Sequence, residues 1–240
     1  MKLFQRIAFA AVLAGLAAGL GMSALQHWKV TPLIIVAESV ETAPADHAHD
    51  AATPARSDDG GVWVPADGLE RTTYTVLANV LTAIGFALLL AAVSVLSGLE
   101  ITARNGVVWG LGGFLAFQLA PAVGLPPELP GMVAAELGAR QAWWWATALS
   151  TGAGLMAVAK LRNSTGLAVA ALLLLAPQIV GAPQPDAWHG GAVPAELASA
   201  YAAAALATGA AFWLTMGPLL GWLGERFARA EAANLKGAHA

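Results

Sequence analysis

Long uncharged runs separated by short polar segments set the pattern of this chain. The runs cover residues 7–26, 73–96, 107–124, 142–159, 166–182 and 197–219, and none contains Asp, Glu, Lys, Arg or His. An α-helix needs about 20 apolar residues to cross a bilayer, and in lipid only helices or closed barrels satisfy every backbone group. No run shows the strict alternation of a half-buried strand. The pattern predicts an all-α integral membrane protein with about six transmembrane helices, or five if the first is cleaved. The third and fourth runs are joined by Leu125-Pro126-Pro127-Glu128-Leu129-Pro130-Gly131. Its prolines cannot continue a helix, and Glu128, Glu136 and Arg140 call for water, so residues 107–159 read as a membrane hairpin with its elbow at an interface.

The one long polar connection, 30–71, lies between the first two spans and contains Pro32, Pro44, Pro54 and Pro65. Its acidic composition predicts little intrinsic order. At its end Asp67-Gly68-Leu69-Glu70 has the form of a capping box with Asp67 as the cap. The first apolar run is longer than a signal-peptide core, and Met22-Ser23-Ala24 is a poor cleavage site, which favours a retained span. Gly15 and Gly19, extended by Ala11 and Ser23, form a small-residue stripe suited to close helix contact. Glu136 and Arg140, four residues apart, are expected to pair. Residues 220–240 form a tail of mixed charge.

A tandem hairpin repeat is also legible. Leu119-Ala120-Pro121 with Gly124 and Pro126 matches Leu175-Ala176-Pro177 with Gly181 and Pro183, and 147–153 matches 204–210. The third and fourth spans would then correspond to the fifth and sixth in the same orientation. A shared Ala/Gly bias is the competing explanation.

Composition agrees with this class: 58% of the 240 residues are hydrophobic and 11% charged, against about a quarter charged in soluble domains. The absence of cysteine excludes disulfides, thiolate metal sites, iron–sulfur clusters and thiol catalysis. Net charge, −3, becomes informative once sorted by side. With six spans and Lys/Arg-rich loops inside, Lys2, Arg6, Arg104, Lys160, Arg162, Arg226, Arg229 and Lys236 are cytoplasmic, as are both termini if the first helix is retained. Among the acids, only Glu100, Glu225 and Glu231 join them, out of 15. Loop 30–71 falls on the periplasmic face, which is acidic, carries His27, His47, His49 and His189, and would concentrate cations. No basic cluster suggests nucleic acid. The absence of a P-loop, an H-E-x-x-H and a G-x-S-x-G argues against an enzyme.

Asp46-His47-Ala48-His49-Asp50 is the first candidate metal site. In an extended segment His47 and His49 face one side, flanked by the carboxylates of Asp46 and Asp50, a set suited to Co²⁺, Ni²⁺ or Zn²⁺. The bland reading is an acidic loop with two unrelated histidines. His27 could stand at a pathway mouth or, beside Trp28, simply anchor at headgroup depth. His189 has less support. Glu128 could meet an ion at the elbow or cap a helix. At bilayer depth the polar groups are neutral. Asn79, Thr82, Gln118 and Gln178 are the chief candidates for lining a pathway, against the alternative of plain interhelical hydrogen bonding.

His27-Trp28, the Trp63-x-Pro65-x-Asp67-Gly68-Leu69-Glu70-Arg71 stretch and the elbow from Leu119 to Gly131 resemble CbtA, the predicted cobalt transporter subunit of bacteria, over nearly the whole chain. The resemblance implies Co²⁺ uptake across the bacterial inner membrane, linked to cobalamin synthesis, with no organic cofactor. It also implies a small single-span His-rich partner like CbtB. CbtA proteins are usually described with five spans, which a cleaved first segment would reconcile with six. The expected function is a subunit that captures Co²⁺ on an acidic His-bearing outer face and passes it inward. The alternative is a non-transporting membrane scaffold or metal sensor.

Overall fold

The computed structural model describes residues 3–41, 65–185 and 193–238, and among them every regular element is helical. The helices are α1 (Leu3–Lys29), α2 (Thr31–Glu41), α3 (Leu69–Ser97), α4 (Gly106–Phe114), α5 (Ala120–Gly124), α6 (Leu137–Leu161), α7 (Ser164–Val180) and α8 (Ala195–Ala238). A π turn, Leu115–Leu119, joins α4 to α5 into one continuous rod. Four segments are long and apolar enough to cross a membrane: Leu3–Lys29, Leu69–Ser97, Gly106–Gly124 and Ala195–Lys236. Ser164–Val180 is shorter but apolar. Helix α6 has 25 residues, its apolar character diluted by Trp143, Trp144, Trp145, Thr147, Ser150 and Thr151.

Lipid tails are as apolar as leucine, so helices in a bilayer associate chiefly where small residues let backbones approach. Here Gly15 and Gly19 are buried against α3. A Cβ at Gly15 would lie 2.5 Å from the Ile84 Cα, and one at Gly19 would lie 2.8 Å from the Val80 Cα. A second seam joins α4 to α8, where a Cβ at Gly106 would lie 2.6 Å from the Gly217 carbonyl oxygen. The alanines Ala10, Ala11, Ala14 and Ala18 of α1 meet Ala83, Ala87 and Ala91 of α3, with Phe212, Trp213, Met216 and Leu220 of α8 filling the space between. Most large side chains of this core come from α8, with Leu90 from α3, and the small ones from α1 and α3.

The remaining close pair is α6 with α7. Exchanging the two hairpins of the sequence repeat would turn the α4–α8 pair into the α7–α6 pair. Gly110 faces the Trp213 carbonyl, and its counterpart Gly166 faces the Ala157 carbonyl. The equivalent threonines Thr151 and Thr208 are both buried.

Polar contacts gather the helix ends into two groups. At one end Arg6 pairs with Glu231 at 3.7 Å, the Ala103 N–H donates to Glu225 at 3.1 Å, and the Lys160 ammonium donates to the Ser97 carbonyl. At the other lie His27, Glu38, Arg71, Glu128 and Arg140. Neighbouring long helices therefore run antiparallel.

Three local expectations need correction. Part of the connection 30–71 is helical: Pro32 occupies the first turn of α2, where its missing N–H costs nothing, and Leu33, Ile34 and Ala37 lie on the covered side of a helix that packs on α1 and α8, while Ile35 and Val36 are exposed. Asp67 is not a cap. Gly68 holds the cap position at φ 95° with no side-chain hydrogen bond, because Arg71 takes Asp67 at 3.2 Å and Glu38 at 2.6 Å. Nor do Glu136 and Arg140 pair. Glu136 caps its own helix, accepting from Gly138 N at 2.7 Å and Ala139 N at 2.6 Å, and Arg140 reaches Glu128 instead.

Candidate cation pathway

The site begins with Pro121. It offers no N–H to the Phe117 carbonyl one turn earlier, and just before it the helix widens to the π turn, with the Ala120 N–H bonding the Leu115 carbonyl five residues back. Such turns recur at functional sites. This one carries Phe117 and Gln118 into the bundle. Across it, the Gln178 amide donates to the Ala120 carbonyl at 3.0 Å, and the Trp143 indole N–H donates to the Pro177 carbonyl at 3.1 Å. Both prolines of the repeat are thereby tied to a neighbouring helix.

Two cavities flank the turn. The larger, about 480 Å³, sits at the elbow and is lined by Gln118, Pro121, Glu128, Arg140, Trp144 and Leu206, among others. The smaller, about 230 Å³, is lined by Asn79, Thr82, Phe86, Phe117, Trp144 and Trp213, among others. Phe117, Gln118 and Trp144 belong to both walls and so stand between the cavities. On the wall of the smaller cavity Phe117 stacks on Trp213, centroids 5.8 Å apart and rings 8° from parallel, and Phe86 approaches both. These rings and the buried Met216 close the bundle toward the end that holds Arg6 and Glu231.

At the elbow the Arg140 guanidinium donates to Glu128 at 2.5 Å, with the two side chains 27% and 22% exposed. Among the described residues, the one carboxylate on the wall of the larger cavity is thus neutralised by the one cation there. The Glu136 carboxyl, accepting from Gly138 N and then Ala139 N, is held below its ordinary value. A lowered value means that its capping contribution is complete above the unfolded pKa and is lost as pH falls through the folded one. Acidification through that range is expected to lower the protection of the Gly138 and Ala139 amides relative to their intrinsic exchange rates, and Glu136→Ala to lower it at pH values above that range. Hydrogen exchange with mass spectrometry of the elbow peptide reads both.

The sequence-predicted residues fall into three groups. Gln118, Asn79, Thr82 and Glu128 line the cavities, with Asn79 also donating to Ser23 at 3.1 Å and Gln26 at 2.7 Å. His27 is exposed at the end of α1, and Gln178 serves as the interhelical tie above; neither is on a cavity wall. Asp46, His47, His49, Asp50 and His189 lie outside the described residues. Among the described residues no three His, Asp or Glu side chains converge as a metal site. Phe117, Trp144 and Trp213 are not among the pathway residues the sequence suggests, and Arg140 enters there only as the expected partner of Glu136. The clustered prolines beside an uncharged span carrying one glutamine were the available signal for Phe117.

A helical bundle with apolar spans, closed by glycine seams and holding adjacent cavities, is a multi-pass all-α membrane protein. Residues 4–225 match the model of the CbtA family, described as the probable cobalt transporter subunit, and the chain belongs to that family. No curated protein and no solved structure matches it.

Proposed function

We propose that this chain is the multi-pass subunit of a Co²⁺ uptake transporter in the bacterial cytoplasmic membrane, serving cobalamin synthesis. The observation that carries the reading is the pair of cavities meeting at Gln118 in a member of this family. The order of events is capture on the acidic outer face by His47, His49, Asp46 and Asp50, with His27 and His189 nearby. The ion then passes Glu128 into the elbow cavity and moves through the Phe117–Gln118–Trp144 neck to Asn79 and Thr82. The rings of Phe117 and Trp213 must separate for passage inward. No catalytic step is involved; the ion is cargo. The membrane potential favours inward movement of a divalent cation by about 4.6 kcal/mol per 100 mV, twice the single-charge value. Both termini lie in the cytoplasm on this reading, since Arg6, Arg104, Lys160 and Arg226 share one end. A small single-span His-rich subunit completes the transporter.

Elemental analysis of metal-starved cells expressing the chain, with and without the single-span subunit, tests the proposal. Cobalt above an empty-membrane control is the expected result. No accumulation by well-inserted protein with its partner present would leave the scaffold or sensor as the better reading.

A further inference from the structure

We infer that the Gln118 side-chain oxygen is a direct ligand for a hydrated divalent cation, held at the neck between the two cavities. This deepens the transport reading and rests on it for its physiological meaning, though the binding itself is measurable alone. The Oε1 atom is buried and has no hydrogen-bond partner among the described residues. A buried acceptor without a partner is costly and rare. Here it belongs to a residue on both cavity walls, carried by a π turn whose shape follows from Pro121.

The oxygen rests against α8 in this arrangement and meets an ion in the neck by rotation of the amide. Gly209 of α8 lies directly beneath it, and any side chain at that position would overlap the amide. Trp144 borders the neck from α6, and Phe117 and Trp213 present a stacked pair of rings. Aromatic faces attract cations without binding them through lone pairs.

The donor set defines the ligand class. Beyond the elbow the named polar groups are Gln118, Asn79 and Thr82, all neutral and all oxygen- or amide-bearing. Among the described residues no carboxylate or imidazole lines the smaller cavity. Neutral oxygen cannot replace the whole hydration shell of a divalent ion, so the cation keeps most of its water and exchanges one ligand for Oε1. Such a site has no soft donor with which to sort Co²⁺ from Ni²⁺. The choice of metal is then made before the neck, and the neck admits either ion alike.

Trp144 supplies the reporter, because Co²⁺ and Ni²⁺ quench nearby indole emission. The full-length chain in lipid nanodiscs is titrated with CoCl₂ and then NiCl₂ while tryptophan emission is followed. A saturable component with similar midpoints for the two metals is expected. Gln118→Leu should raise that midpoint roughly tenfold or more, on the scale of lost metal-site contacts, and Gln118→Asn by less. Trp144→Phe should shrink the component's amplitude without moving its midpoint. A midpoint unchanged in both Gln118 variants, with thermal melts showing that they fold, would overturn the inference, and so would quenching indifferent to Trp144. Cobalt accumulation in cells separates the two readings. If wild type and Gln118→Leu accumulate cobalt equally, the neck ligand is wrong and transport stands. If wild type accumulates none yet shows Gln118-dependent quenching, the ligand stands and transport falls.

Discussion

Gly110→Leu is expected to disrupt the bundle at the α4–α8 seam. Gly110 is buried on α4, and a Cβ there would be driven into the Trp213 carbonyl, which is backbone and cannot swing aside. The α8 residue it would displace, Trp213, is 1% exposed and also packs against Phe86, Phe117 and Phe212. Overpacking of this kind costs about 3 kcal/mol or more, which corresponds to a fall of about 10 °C in the unfolding midpoint for a chain of this size. Gly85→Leu is the control, because a Cβ at Gly85 has open space around it. Thermal melts followed by size-exclusion chromatography in detergent distinguish the two. Equal losses in both variants would mean that the α4–α8 seam has no special role.

The second large effect is functional and concerns the elbow. Arg140 both occupies Glu128 and places a positive charge on the wall of the larger cavity, so it opposes cation arrival twice. Removing it with Arg140→Gln is expected to lower the apparent KM for Co²⁺ uptake about tenfold, equivalent to ~1.4 kcal/mol. That figure sits well below the ~4 kcal/mol that two unit charges 4 Å apart exchange near a protein surface, because both side chains are about a quarter exposed and water screens the pair. Glu128→Gln should move KM the other way. The double variant should fall between, since the two changes act on one contact. Initial rates of uptake against Co²⁺ concentration read all three. A Glu128→Gln variant with wild-type KM would remove this pair from the route.

Several features were already written in the local pattern. The six apolar runs each fall mainly within helical structure, and the Gly15–Gly19 stripe is buried against α3. Gln118, which stands on both cavity walls, is legible as a polar side chain beside a proline in an uncharged span. Asp67 misled because a local motif was read without its competitor: Arg71 can be satisfied by Asp67 only once Glu38, thirty-three residues earlier, is beside it. The Glu136–Arg140 pair failed for a related reason. At a helix start the free backbone N–H groups compete for a carboxylate, and Arg140 finds Glu128 twelve positions back across the elbow.

The sequence by itself determined the class, an all-α membrane protein, and which segments are helical. Length, charge and proline act locally, and the bilayer enforces them residue by residue. Tertiary structure decided which helix faces meet. Lipid and protein interior are almost equally apolar, so hydropathy carries little information about partners. The seams joining Gly15 to Ile84 and Gly106 to Gly217 depend on backbone fit between distant segments. The neck at Gln118 is a product of that fit, because its walls come from the π turn, α6 and α8. No one of these elements contains the site.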